Sequence, residues 1–96
     1  MREFMIDGQR MTSEEAIYIH LNRLFCFPNN FGNNLDALWD VLTEETEATI
    51  IHFEYTDALL NTIPEYGKKL IRLFEQLNRR TDNYRVYFYP DEMNHD

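Results

Sequence analysis

The sequence is poor in cysteine, glycine, proline and long apolar runs. Its single cysteine, Cys26, cannot form an internal disulfide, and only three glycines and three prolines interrupt the 96 residues. No apolar run approaches the roughly 20 residues that span a bilayer, and no signal peptide opens the sequence. We therefore expect a protein of a reducing compartment, most simply the cytoplasm, without membrane contact. In such a protein Cys26 should be a small buried apolar side chain.

Basic residues are missing from the middle of the chain. No lysine or arginine occurs between Leu24 and Gly67, whereas this stretch contains eight acidic residues. The nine acids outside it are balanced by nine bases, so the whole net charge of −8 lies in the central part. A field of this sign repels phosphate backbones, which argues against direct nucleic-acid binding and favours a basic partner. Ordinary acidic solubility is the alternative explanation.

The composition is that of one packed domain. Hydrophobic residues make up 44% of the chain and aromatic residues 15%, which excludes a disordered protein. A domain of this size buries roughly 60–65% of its unfolded surface, enough for a core without disulfides or metals. We expect a single domain over residues 1–90 and a short, frayed, polar tail over residues 91–96.

Apolar periodicity predicts three strands separated by helices. The strand-like runs are 2–6, 49–55 and 84–89, and the helical runs are 13–24, a central helix from about residue 35, a further turn at 57–61, and 64–80. Thr12 and Thr62 each precede a glutamate by three residues, which predicts capping boxes. Because parallel strands need crossover connections, this order predicts an α/β fold with a small parallel sheet packed against helices.

The central helix carries the most informative pattern. Its leucines predict one buried face, and Asp36 and Asp40, four residues apart, stack on the opposite face. Asn33 or Asn34 would cap the helix; with Asn33 as the cap, Asp36 takes the third helical position, where an acid is favoured. Asp40 has no such local role. Like charges at this spacing weaken a helix, so the pair indicates either a surface with another purpose or a solvated polar face.

Residues 28–40, PNNFGNNLDALWD, resemble the barstar family of intracellular ribonuclease inhibitors. The residues that match the family pattern are Pro28, Phe31, Gly32, Asn34, Leu35, Asp36, Ala37, Leu38, Trp39 and Asp40. The resemblance is clear in this block and runs more loosely, in element order, over about the first 90 residues. It implies a three-stranded parallel sheet with helices and an inhibitor, not an enzyme. The predicted caps and strand-like runs themselves indicate a domain that is folded and monomeric without metal, and we expect no cofactor.

The resemblance also implies a function and a site. The protein would be an inhibitor or immunity protein that blocks the active site of a basic extracellular-type ribonuclease or nuclease toxin. Asp40 would enter the phosphate pocket as a phosphate mimic, with Asp36 beside it. The remaining contact residues would be Asn30, Phe31, Asn34, Trp39, Thr43 and Glu44.

Two positions depart from the family pattern. Asn30 stands where the family often has an aromatic residue. Gln76, with Glu75 beside it, stands where the family often places an acid on the later long helix. Gln76 is therefore a candidate contact residue, and a related but different nuclease stays open as the target.

Two other classes of function stay open at this point. One is an acidic protein-interaction module without a nuclease target. The other is a metal-dependent enzyme that uses Asp36, Asp40 and His52, although the sequence has no phosphate-cradling glycine loop, zinc-type Cys and His spacing or nucleophile motif. His52 and Glu54 could form an acid–base pair or a hydrogen-bonded pair at a sheet end, and we expect His20 to be a packing residue.

Overall fold

The computed structural model describes residues 1–91, so the predicted tail, apart from Asp91, lies outside the described residues. The strands are β1 (Arg2–Asp7), β2 (Thr49–Glu54) and β3 (Tyr84–Phe88), and the helices are α1 (Glu14–Phe25), α2 (Leu35–Glu44), α3 (Thr56–Thr62) and α4 (Pro64–Arg80). A short 3-10 turn, Gly8–Arg10, follows β1. Among residues 1–91, none of the helices combines the length and apolarity that crossing a membrane requires.

The three strands form one parallel sheet in the order β1–β2–β3, which confirms the predicted fold. Right-handed crossovers are the rule between parallel strands, and with this order they carry both connections over the same face. Burial agrees, because Ile51 and Phe53 of the central strand are fully buried whereas Ile50 and His52 between them are only half-buried. The helices therefore cover one side of the sheet.

The core lies between this side of the sheet and the helices. The apolar stripe predicted for the last helix is confirmed, since Leu70, Phe74 and Leu77 are fully buried, and Phe53 meets the Phe74 ring edge-on at a centroid distance of 5.4 Å. The helix α2 contributes Leu38 and Leu42 to the same core and packs against α4. This packing fixes α2 on the body of the protein by one side and leaves its other side to solvent.

Both predicted threonine caps are wrong. The helix α1 is capped by Ser13, whose Oγ accepts the Ala16 N–H at 3.0 Å, instead of by Thr12. Thr62 is the last residue of α3 and donates its hydroxyl to the Ala58 carbonyl at 2.9 Å. It cannot cap α4, because a capping residue needs an extended backbone whereas Thr62 is still helical. As a result α4 begins at Pro64 without a side-chain cap.

Cys26 is exposed, so the prediction of a buried apolar cysteine is wrong. It ends α1 in the left-handed conformation with φ of 54°, and this turn directs the neighbouring rings of Phe25 and Phe27 inward in its place. The two histidines among residues 1–91 both make polar contacts within the fold. His20 Nε2 accepts the Asp7 N–H at 2.9 Å, and the ring nitrogens of His52 contact a Glu3 carboxylate oxygen at 2.7 Å and the Tyr89 hydroxyl at 3.1 Å.

Candidate functional site

The helix α2 begins at an asparagine cap. Asn34 Oδ1 accepts the Ala37 N–H at 2.8 Å, and Asn34 Nδ2 donates to the Gly32 carbonyl at 3.1 Å. Asn34 is therefore the cap, and Asn33 precedes it in the left-handed conformation with φ of 49°. Asp36 consequently occupies the second helical position instead of the third, where a capping box would form. An acid in this first turn is still favoured by the helix dipole.

The solvent side of α2 is a row of acids one turn apart. Asp36, Asp40 and Glu44 are all exposed, as is Thr43, and we refer to these four residues as the acidic face of α2. Within residues 1–91, no cationic group lies within 4 Å of any of the three carboxylates, and none of them accepts a side-chain or capping hydrogen bond. The mutual repulsion of neighbouring acids at this spacing is therefore not relieved inside the protein.

Trp39 and Thr43 lie beside the acids of α2 and make contacts within the fold. Trp39 is half-buried and packs against the core, so one part of its indole ring stays accessible. The Thr43 hydroxyl donates to the carbonyl of Trp39 at 2.8 Å, with the Asp40 carbonyl at 3.2 Å. Because the hydroxyl hydrogen is used within the helix, Thr43 can offer a partner only its oxygen and its methyl group.

The loop before α2 is held by aromatic rings. Phe31 is half-buried, with its ring centroid 4.6 Å from that of Phe27 and 6.0 Å from that of Tyr18. Phe27 in turn stacks on Phe25 at 5.4 Å. These rings attach the loop to α1, so the exposed side chain of Asn30 sits on a supported turn. Sequence reasoning did not assign Phe27 or Tyr18 to the site, although the density of aromatic residues around the loop was a signal.

Two surface hollows are lined by residues of α2. The hollow between the loop and α2, which we call the loop–α2 hollow, has a volume of about 360 Å³ and is lined by Pro28, Asn30, Phe31, Gly32, Ala37, Asp40, Val41 and Glu44. The second hollow, of about 370 Å³, is lined by Glu14, Asn33, Asn34, Leu35, Asp36 and Tyr66. The structure thus brings Asn30, Phe31, Asp40 and Glu44 together, whereas Asp36 and Asn34 line a different hollow.

Tyr66 of α4 is a residue of this surface that sequence reasoning missed. Its hydroxyl is 2.6 Å from the hydroxyl of Tyr18, which links α4 to α1 beside the start of α2. Burial, together with this hydrogen bond, raises the pKa of Tyr18 far above its ordinary value, so Tyr18 stays neutral. The pair fixes the far wall of the hollow that contains Asp36.

Gln76 is placed apart from these residues. It is half-buried on α4, lines neither hollow, and makes no side-chain hydrogen bond with any residue of the described part of the chain. Because α4 packs against α2, a partner that covers α2 could extend to it. Its role in binding stays a prediction.

The acids that follow α2 are used within the fold. Glu45 Oε2 accepts the N–H groups of Thr46 and Glu47, both at 2.9 Å, and Glu45 Oε1 is 3.3 Å from Arg2 Nη1. These backbone hydrogen bonds, with the nearby Arg2 charge, hold the pKa of Glu45 below its usual value. Glu47 lies 3.4 Å from the amino group of Met1. Not all of the central negative charge is therefore available to a partner.

A three-ligand metal site is not found in the part of the chain that the structure describes. Among residues 1–91, no three His, Cys, Asp or Glu side chains lie close enough together to hold a metal ion. The structure therefore does not bring Asp36, Asp40 and His52 together, as the metal-dependent alternative would require.

Comparison with known proteins agrees with this architecture. The family model described as Barstar (barnase inhibitor) matches residues 1–90. A protein of Bacillus subtilis (strain 168), named "Putative ribonuclease inhibitor YrdF", is 35% identical over 91 residues, and the match covers 90% of this chain and 97% of that protein. With its parallel β1–β2–β3 sheet and four helices, the chain belongs to the barstar family.

Proposed function

We propose that this protein inhibits a ribonuclease by placing the acidic face of α2 in the phosphate-binding part of the active site. Membership of the barstar family and the name of the Bacillus subtilis relative support an inhibitor role. The observation that carries the mechanism is the row formed by Asp36, Asp40 and Glu44, which are exposed and have no cation within 4 Å among residues 1–91.

The acidic face of α2 and the active site of a ribonuclease are chemically complementary. A ribonuclease binds a phosphodiester with arginine, lysine and histidine groups, and a carboxylate on a rigid helix can accept the same charge-assisted hydrogen bonds. Because no ion pair inside the inhibitor has to break first, the carboxylates of Asp36 and Asp40 are ready to bind. A cationic pocket would also relieve the repulsion between them.

The two aspartates have different duties in this mechanism. Asp40 lies in the second turn, where it makes no contribution to capping, so we assign it to the phosphate pocket. Asp36 lies beside it and also favours the start of the helix through the dipole. Trp39 is a suitable anchor because half-buried aromatic rings are frequent hot spots at interfaces.

The remaining contact residues would surround this centre. Asn30 and Phe31 lie in the loop–α2 hollow and Thr43 and Glu44 on the acidic face, whereas the Asn34 amide is already used for capping. We propose a basic extracellular-type ribonuclease or nuclease toxin as the partner and the cytoplasm as the place of inhibition. In this role the free protein is a monomer and has no catalytic activity of its own.

The test is an inhibition titration with barnase and a panel of other basic secreted ribonucleases, using a fluorogenic RNA substrate. We expect at least one enzyme to lose activity at a one-to-one ratio with the parent protein and to keep it with Asp40→Ala. Asp57→Asn is the matched control, because it removes one exposed acid from α3 instead of α2. Enzymes that all stay active at saturating protein would contradict the proposal, and binding without inhibition would favour an acidic interaction module.

A further inference from the structure

We propose that the loop–α2 hollow receives an arginine side chain of the ribonuclease and that Glu44 is the residue that selects it. This inference rests on the proposed function and names a second contact, next to the phosphate pocket, that the site would make. It is carried by the shape, the lining and the charge of the hollow.

The shape and lining suit one long side chain. A volume of about 360 Å³ lies near the lower end of ligand sites, which span roughly 300–1,000 Å³, so the hollow has room for a side chain and not for a larger element. Phe31, Ala37 and Val41 line it and are all half-buried, so they form an apolar floor. Arginine and lysine carry apolar stems that cover such surfaces while their charged ends stay at the rim.

The charge at the rim favours arginine over lysine. Asp40 and Glu44 both line the hollow, and residues four apart on a helix have Cβ atoms about 5–6 Å from each other. A guanidinium group has five donors in a planar fork and can bridge two carboxylates, whereas an ammonium group is a compact point charge. A guanidinium group can also stack on the Phe31 ring. Because Asp40 is shared with the phosphate pocket, Glu44 is the residue that distinguishes this second contact.

Asn30 keeps the hollow open. It lines the hollow together with Phe31 and Val41, and its side chain is short and exposed. A larger side chain at this position would fold over the apolar floor and occupy part of the volume. Asn30→Tyr therefore gives a second way to remove the site, and it leaves both carboxylates in place.

The experiment is an NMR titration of the ¹⁵N-labelled protein with N-acetyl-L-arginine amide, which presents one guanidinium side chain without other charges. N-acetyl-L-citrulline amide, which has nearly the same shape and no charge, is the control ligand. We expect saturable shifts of the Phe31, Val41 and Glu44 amide signals with the arginine probe alone. The apparent affinity should fall at least fivefold in Glu44→Gln and in Asn30→Tyr, and it should be unchanged in Asp57→Asn.

The outcomes separate this inference from the proposed function. Absent shifts, shifts spread evenly over all exposed acids, or equal affinity in Glu44→Gln would overturn the inference even if Asp40→Ala abolishes inhibition. Conversely, the proposed function fails if no ribonuclease is inhibited, whatever the probe shows. If both hold, Glu44→Gln should weaken inhibition of the ribonuclease several-fold and Asp57→Asn should leave it unchanged.

Discussion

Two neighbouring groups of acids in this protein have opposite surroundings. Asp36, Asp40 and Glu44 on α2 face solvent, with no cation within 4 Å in the described chain, whereas Glu45 and Glu47, immediately after the helix, are joined to Arg2, to backbone N–H groups and to the amino terminus. Glu44 and Glu45, one from each group, are the same residue type and are adjacent in sequence. Among residues 1–91, the acids that stabilise the fold have partners within it, and the acids that we propose for partner binding do not.

The second group belongs to a larger polar cluster where the strands begin, which we call the sheet-start cluster. In addition to Arg2, Glu45 and Glu47 it contains Asn83, whose side-chain amide donates to the Glu45 and Glu47 carbonyls at 2.9 and 3.1 Å, and Tyr84. The Tyr84 hydroxyl donates to the carbonyl of Leu42 at 2.7 Å and thereby ties β3 to the last turn of α2. Loss of a contact here should affect folding, and loss of a contact on the acidic face should affect binding.

The largest effect should come from Asp40→Ala. We expect the affinity for the ribonuclease to fall by at least about 2 kcal/mol, roughly thirtyfold, which is the general threshold for interface hot spots. The melting temperature should stay the same or rise, because alanine is a better helix former and the repulsion from Asp36 and Glu44 is removed. Inhibition titration and thermal melting check both expectations.

Asp36→Ala removes the other aspartate of the acidic face of α2 and is compared with Asp40→Ala. It should weaken binding less than Asp40→Ala and should lower the melting temperature slightly, because an acid is lost from the first turn of α2. A larger loss of affinity in Asp36→Ala than in Asp40→Ala would contradict the assignment of Asp40 to the phosphate pocket and of Asp36 to the position beside it.

Tyr84→Phe should have the next largest effect, and on stability alone. The fully buried hydroxyl that donates to the Leu42 carbonyl is removed, which should cost about 1–2 kcal/mol of unfolding free energy. Urea unfolding measures this cost, and inhibition of the ribonuclease by the folded variant should match that of the parent protein. A loss of affinity in the folded variant would contradict the view that the sheet-start cluster serves folding and the acidic face of α2 serves binding.

A smaller effect should appear on acidification. Burial lowers the pKa of His20 below its ordinary 6.5, and its Nε2 must stay unprotonated to accept the Asp7 N–H. A group with a depressed folded pKa contributes stability that is present above its unfolded pKa and is lost as the pH falls through the folded pKa. Unfolding free energy should therefore decrease below pH 6.5, before Glu45, with its own lowered pKa, begins to contribute below pH 4.5.

His20→Gln is the control for this prediction. Glutamine keeps a hydrogen-bond acceptor and does not titrate. The decrease of the unfolding free energy between pH 6.5 and pH 4.5 should therefore become shallower in the variant. An unchanged slope would assign the acid sensitivity to other groups.

The smallest expected effect concerns the rate of association. Because the net charge of −8 lies in the central part of the chain, association with a basic ribonuclease should slow as salt is raised from low to physiological concentration. Stopped-flow mixing measures this rate. Glu44→Gln should reduce the salt dependence, and a flat rate in the parent protein would exclude a steering role for the acidic face.

The architecture was predictable because apolar periodicity is a strong signal in this chain. The helical stripe determines α4 and its buried face, and its members are Leu70, Leu73, Phe74 and Leu77. The β-branched and aromatic residues of Thr49–Glu54 indicate a strand, but they do not identify its buried face. The caps were less predictable, because Thr12 and Ser13 are both suitable capping residues and only the exact start of α1 decides between them. The Thr62 cap was wrong because α3 continues further than its weak pattern indicated.

The site was predictable in its residues and not in its arrangement. The exposure of Asp36 and Asp40 follows from helical spacing alone. By contrast, the position of the loop depends on the contacts of Phe31 with the nearby Phe27 and with Tyr18 of α1, and the contact with α1 is fixed by the tertiary fold. The pairing of Glu45 with Arg2 is likewise a long-range contact, between the loop after α2 and the start of β1, so sequence reasoning could count the acids but not identify which ones are already paired.

The most direct test of the central claim compares Asp40→Asn with Glu45→Gln, since each substitution removes one carboxylate charge with little change of shape and the two positions are five residues apart. Each variant is measured by thermal melting and by inhibition titration against the ribonuclease that the parent protein inhibits. We predict that Asp40→Asn melts like the parent and inhibits at least about tenfold more weakly, and that Glu45→Gln melts earlier and inhibits like the parent. Equal inhibition by Asp40→Asn, or earlier melting of Asp40→Asn than of Glu45→Gln, would contradict the account.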